Sequence, residues 1–352
     1  MRRRWPLILP AVTAALLLSA APALACGGLI GPNGAVNLLR TTTFAGYHGG
    51  VEHYVTAFEF AGGGGAFGSL TPLPGVPTSV EKGGDWTLQR LVRETDPQLF
   101  FAEDAARAAA PAAGSAEELM KVRIDALDIT VLKGGAAEVG QWATDHGFRL
   151  PPDAPEVLDF YASRSPIFLA AAFDPVAAAA RGQAIGDGTP VHITIPTPNP
   201  WVPLRVLALG KTGAERVQAD VYLLTDIAPA LLPAPTGRNG ISLTHSDPAT
   251  DSLLADLRSD RGMEWVPDSA WLSKITVDAS AAQLRFDLAI DASGQGAPSR
   301  VQAGLDLPSQ PVGQGVAIGR LIAALAAIGL GLLVMVRLVS AGPAGARPAA
   351  GT

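Results

Sequence analysis

Short runs in which apolar residues recur at every second position, each stopped by glycine or proline, constrain this chain most. In Val191-His192-Ile193-Thr194-Ile195 the apolar side chains fall on one face and the polar ones on the other, which is the period of a half-buried strand. Ala35 to Tyr47 and Val51 to Phe60 flank His48-Gly49-Gly50, a glycine-containing turn that predicts a hairpin. Its second strand puts Val51, His53, Val55 and Ala57 on one face and Glu52, Tyr54, Thr56, Phe58 and Phe60 on the other. Ala66 to Leu70 predicts another strand, ended at Thr71-Pro72-Leu73-Pro74-Gly75 because proline cannot donate to a ladder. Val122 to Leu132, Ile167 to Phe173, Val202 to Leu209 and Arg216 to Leu224 continue the β pattern, and Trp271 to Val277 with Leu284 to Ile290 predicts a closing hairpin.

Between these runs the spacing turns helical. Trp86, Leu88, Leu91 and Val92 predict a helix capped by Asp85, and Ala136 to His146 a helix closed by Gly147. Pro155 to Ser163 is a third, and Asp247-Pro248 starts a fourth whose Leu253, Leu254 and Leu257 face the core. Ala105 to Ser115 and Pro229 to Gly240 read as connections. The order predicts an α+β fold of mainly antiparallel sheets with a few packed helices.

The two ends carry a different signal. Arg2, Arg3 and Arg4, the apolar Leu7 to Ala21 and the small-x-small Ala23-Leu24-Ala25 read as a signal peptide over residues 1–25. Cleavage there leaves Cys26, the single cysteine, at the new N-terminus, either as a lipid attachment point or as a plain thiol; Ala23 stands where a lipobox places a large aliphatic residue. Leu321 to Val336 is uncharged but as a helix is only about 24 Å long. Arg320 and Arg337 can snorkel, so the wider segment 316–339 predicts one C-terminal transmembrane helix. Residues 340–352 form a short cytoplasmic tail containing Arg347, in the positive-inside sense. The body of about 290 residues is expected outside the membrane, as a main α+β region over 26–228 and a C-terminal α+β part over 229–312.

The chemistry is sparse. A net charge of -6 with 16% charged residues gives no support to the basic face that nucleic acid requires, and one cysteine excludes an internal disulfide framework. His48, Glu52 and His53, beside Tyr47 and Tyr54, form the densest polar cluster. Those residue types hold metals or exchange protons when they converge. Adjacent strand residues point to opposite faces, however, so convergence needs a distorted hairpin or a residue from elsewhere, such as His192. The plainer reading is a polar hairpin tip on the surface. Gly210-Lys211-Thr212 lacks the glycine five residues before Gly210, where Arg205 stands, so it reads as a turn and not a phosphate loop. No Gly-x-Ser-x-Gly elbow or His-Glu-x-x-His motif occurs. Asp125, Asp128, Asp278 and Asp287 read as solvated strand faces. Trp86, Trp142, Trp201, Trp265 and Trp271 read as core anchors, with Trp265 and Trp271 alternatively touching headgroups or a ligand.

Cys26-Gly27-Gly28, Gly46 to Phe60, and Phe67 to Pro74 with its Pro72 and Pro74 carry a family resemblance. So do Asp128 to Pro151 (with Val131-Leu132, Trp142 and Gly147-Phe148), Tyr161, Phe168 to Ala172 and Trp271-Leu272-Ser273-Lys274. In these the chain resembles the bacterial family of exported proteins known as domain of unknown function 2330. That resemblance implies an exported or membrane-anchored bacterial protein and supplies no activity, cofactor or site residue. The expectation is a non-enzymatic, single-pass cell-membrane protein. Its extracytoplasmic body would bind an envelope protein or a glycan, with no cofactor, no catalytic or metal residue and no nucleic-acid partner. The alternative is an extracytoplasmic hydrolase, metal-assisted or acid/base, with a site near His48, Glu52 and His53.

Overall fold

The computed structural model describes residues 28–32, 34–35, 41–58, 66–96, 118–182 and 189–306. The expected signal peptide over 1–25, the expected transmembrane segment 316–339, Cys26 and the Ala105 to Ser115 connection lie outside the described residues. Among the described residues no helix is long and apolar enough to cross a membrane.

The strands build two large sheets and one small one. The first contains β1 (Gly28–Gly31), β2 (Gly34–Ala35), β5 (Phe67–Pro72), β7 (Glu118–Ile124), β8 (Leu127–Lys133) and β9 (Ile167–Phe173), in the order β2-β1-β5-β9-β8-β7. The second contains β3 (Thr41–His48), β4 (Val51–Phe58), β6 (Ser79–Lys82), β10 (Thr189–Pro196), β12 (Arg216–Thr225), β14 (Ile241–Pro248) and β15 (Trp271–Ser280), in the order β14-β15-β12-β3-β4-β10-β6. Only β12 with β3 is parallel; the other described pairs are antiparallel. A three-stranded sheet orders β11 (Trp201–Val202), β16 (Leu288–Asp291) and β13 (Ala230–Leu232) as β11-β16-β13.

The period-2 pattern explains the layering. Leu127, Ile129 and Val131 of β8 and Ile167, Leu169 and Ala171 of β9 face Val191, Ile193 and Ile195 of β10 and Val217, Ala219, Val221 and Leu223 of β12 across one buried core. Val202, Leu288 and Ile290 of the small sheet join it. Helices cover the far faces. The outer residues of the second sheet, Phe44, Val55, Ala57, Tyr222 and Leu224, pack on α1 (Thr87–Thr95) through Leu88 and Leu91, and on α5 (Asp251–Ser259) through Leu253, Leu254 and Leu257. On the first sheet lie α2 (Ala136–Asp145) and α3 (Ala154–Ala162), where Tyr161 meets Phe168 of β9 edge-on at 6.4 Å. A short α4 (Pro175–Ala180) follows β9. The result is α+β and mainly antiparallel, as the patterning predicts.

Several local expectations change. Val122 to Leu132 is two strands, because Asp125 and Ala126 form the turn of a β7–β8 hairpin. Val202 to Leu209 leaves the sheet after Val202 and becomes a 3-10 turn at Arg205–Ala208. Pro248 ends β14, which pairs with β15 as an edge where its missing N–H is harmless, and Thr250 caps α5 through Leu253 N–H at 3.2 Å. Trp271–Ser280 and Leu288–Asp291 lie in different sheets and are not a hairpin. The cap of α1 comes from Asp260, not Asp85. Its carboxylate accepts from the Asp85 and Trp86 amides at 3.1 and 3.2 Å and from the Thr87 hydroxyl at 2.7 Å, so a distant acid anchors the start of the helix, where negative charge is favourable.

Candidate functional site

The β3–β4 hairpin forms as its alternation dictates, with Gly49 and Gly50 in the left-handed region at φ 59° and 83°. Its register pairs Gly46 with His53 and Tyr47 with Glu52. The three polar residues singled out from the sequence therefore go to three places.

His48 stays at the exposed tip, its Nδ1 2.6 Å from Asp226 Oδ1. Glu52 turns inward with Tyr54, toward the core between the sheets, and is fully buried. Neither carboxyl oxygen completes a hydrogen bond, and the Trp201 backbone amide is a favourable dipole for its charged form. Burial pushes the Glu52 carboxyl up to about 8, with the Trp201 amide only partly opposing it. Glu52 is thus a neutral acid near pH 7. Beside it Tyr47 donates its hydroxyl to the Thr197 carbonyl at 3.0 Å.

His53 turns to the helix-covered face. It sits beneath Trp265, ring on ring, with centroids 3.9 Å apart and planes at 5°. Gly46 makes room for that indole: a Cβ there would lie 2.0 Å from the ring. The residue from elsewhere is present, since His53 Nδ1 is 3.0 Å from His192 Nε2, on the neighbouring strand β10. Gly262, at φ 74°, closes over His192 Nδ1. Burial, then the two neighbouring histidines, His192 and His48, pull His53 down to about 3. Burial also lowers His192, against the opposing pull of Glu81 and Glu264. A hydrogen bond between two imidazoles needs one as donor and the other as acceptor. The pair is neutral near pH 7 and resists protonation.

His48, Glu52 and His53 therefore do not converge, and the surface-tip reading holds for His48 alone. Among the described residues no group of three or more His, Cys, Asp or Glu side chains could hold a metal ion. Gly210 N–H donates to both carboxylate oxygens of Asp153, at 3.1 and 3.0 Å.

The acids expected on solvated faces divide. Asp128 is half-buried against Arg123 and Asp278 is exposed against Arg216, but Asp287 is fully buried and Asp125 nearly so. Asp287 binds Arg164 at 2.5 Å, the Tyr161 hydroxyl at 2.9 Å and the Leu204 and Arg205 amides at 2.7 and 3.0 Å. The Arg164 guanidinium lies over the Phe160, Tyr161 and Trp201 rings. Burial raises the Tyr161 hydroxyl well above its usual range, and the Asp287 charge adds to it. This knot ties α3 to the small sheet with both carboxylate oxygens engaged, a structural role. Its one sequence signal is the isolated Arg164 at a helix end, which spacing alone does not link to Asp287. Trp142 and Trp201 are core anchors; Trp265 is taken up by His53, and Trp271 donates to Ser246 at 3.0 Å.

Fold and site together define a layered α+β protein in which some buried titratable groups, such as Asp287 with Arg164, are paired inside the fold while Glu52 is left without a hydrogen-bond partner. The chain belongs to the DUF2330 family, described as an uncharacterized protein conserved in bacteria, which matches residues 20–234. Trp271 to Lys274 lies beyond the matched residues. No curated protein matches the chain. Among solved structures it is similar to baculovirus P35 after caspase cleavage, at 9% identity and a TM-score of 0.39, over 71% of this chain and 98% of that one. It is also similar to intact baculovirus P35, at 10% identity and 0.38, over 72% and 96%, and to the caspase-8/P35 complex, at 9% and 0.38, over 71% and 95%. Likeness at that level carries no argument about activity.

Proposed function

We propose that this protein is an exported bacterial envelope protein held in the cell membrane by one C-terminal helix, with its layered body outside as a non-enzymatic binding or assembly module. The observation that carries the reading is the sequence at the two ends: an arginine-led apolar segment closing on Ala23-Leu24-Ala25, and the uncharged run Leu321 to Val336 followed by Arg337 and Arg347. Membership of a family conserved in bacteria agrees with the bacterial part of the reading. The partner is an envelope protein or a glycan meeting the outer face of the body.

Expression of the full chain with a C-terminal tag in a bacterial host tests this. Expected are recovery in carbonate-washed membranes, digestion of the body by protease added to spheroplasts, and a mature mass beginning at Cys26. A lipid-sized mass increment lost in Cys26→Ser adds a second anchor. Deletion of residues 316–339 should release the body when Cys26 is unlipidated. Recovery in the cytoplasm with residues 1–25 retained refutes the reading. Crosslinking in intact cells then identifies the partner.

A further inference from the structure

At the β7–β8 turn three basic and three acidic side chains meet, and they do not pair one to one. Arg123 takes two of the acids, Asp128 at 2.5 Å and Asp174 at 2.9 Å. Asp174 also accepts from the Val176 and Ala177 amides at 3.0 and 2.9 Å, capping α4. Asp125 is left to two cations. Lys82 Nζ donates to its Oδ2, while the nearest Arg181 nitrogen stands 4.0 Å from Oδ1, too far for a hydrogen bond. The Arg181 side chain is only 4% exposed, and none of its three nitrogens has a hydrogen-bond partner.

That arrangement is incomplete. A guanidinium stays charged in proteins and presents five N–H donors in a planar fork. Buried donors without acceptors are costly, and a buried charge more so. The six side chains balance in charge, but the acceptors are unevenly shared, and the Arg181 fork is left with none. Lys82 is 20% exposed and has two further N–H donors, whereas Arg181, on the other oxygen of Asp125, is 4% exposed. We propose that Arg181 and Lys82 form a binding site for an oxyanion, a carboxylate or phosphate group that accepts from the Arg181 fork and from Lys82. The fork matches two oxygens of either group in one plane. Proposal and localisation are independent: the site stands wherever the body resides.

The test uses the full chain in detergent. Its thermal midpoint and binding heats are measured with sodium phosphate or sodium acetate, against sodium chloride at equal ionic strength. Saturable binding is expected, with the midpoint raised by about 2–4 °C at ten times Kd. Response to phosphate alone assigns a tetrahedral group, and response to acetate a carboxylate. Arg181→Gln should abolish the response. Arg181→Lys keeps the charge but loses the fork, and should bind at least about tenfold more weakly; Lys82→Gln should weaken binding as well. If Arg181→Gln does not fold, the Lys variants carry the test. No response beyond chloride in the wild type, or equal responses in wild type and Arg181→Lys, overturns the proposal. Arg181 then simply closes onto Asp125.

Discussion

Glu52→Gln isolates one buried proton. The folded carboxyl titrates at about 8 against an ordinary 4.5. Between those values the unfolded chain has released the proton and the folded chain still holds it. The native state therefore binds more protons, and stability must fall as pH rises from about 4.5, levelling out above about 8. A gap of about 3.5 pH units at about 1.4 kcal/mol each sets the full loss at about 5 kcal/mol, and local rearrangement or water entry reduces it to about 3–5 kcal/mol. Glutamine keeps the shape and does not titrate. At pH 4.5 the variant should match the wild type within about 1 kcal/mol, since a neutral carboxyl and an amide differ little in a site without partners. At pH 9 it should be more stable by about 3–5 kcal/mol. Urea denaturation of both proteins at half-unit steps from pH 4.5 to 9 measures this directly. Parallel curves, with a difference independent of pH, would refute the assignment of a neutral acid to position 52.

The histidine pair acts in the opposite sense. With folded His53 near 3 and His192 also lowered, the unfolded chain binds extra protons below about 6.5, so stability present above that pH is lost on acidification, at about 1.4 kcal/mol per pH unit for each histidine. His192→Gln should lower that slope below pH 6.5, read from denaturation midpoints; an unchanged slope would place the uptake elsewhere. Asp287→Asn removes the carboxylate facing the buried Arg164 and should cost about 3–5 kcal/mol at pH 7, measured by urea unfolding, whereas a loss below 1 kcal/mol would mean the guanidinium finds water. Gly46→Ala drives a methyl into Trp265 and should cost about 1–3 kcal/mol with a shifted tryptophan emission, because the indole must leave His53; unchanged emission with full stability would contradict that packing.

The hairpin from Thr41 to Phe58 shows how far spacing reaches. Alternation placed Glu52 and His53 on opposite faces without any structure, and it held. It could not say that both faces are buried. A strand between two polar-looking edges reads as surface, and here helices α1 and α5 cover one face while the first sheet covers the other. The same blindness hid Asp287, whose partners Arg164, Tyr161 and Leu204 lie 123, 126 and 83 residues away. It also hid Asp260, which caps a helix 173 residues earlier in the chain. Turn chemistry within a few residues was legible, as at Gly147, which takes φ 74° after α2. Proline placement was less so, since Pro248 serves equally at a helix start and at the end of an edge strand.

By itself the sequence determined the α+β class, the antiparallel habit and the separation of Glu52 from His53, because these rest on local period and turn residues; the family followed from its resemblance at particular positions. Only the tertiary structure decided which polar groups are removed from water and which partners they find there. It left Glu52 alone, joined His53 to His192, surrounded Asp287 with donors and gave Arg181 too few acceptors. The reason is physical. Strand and helix patterns follow from neighbours along the chain, whereas desolvation and charge pairing depend on which sheet face meets which layer.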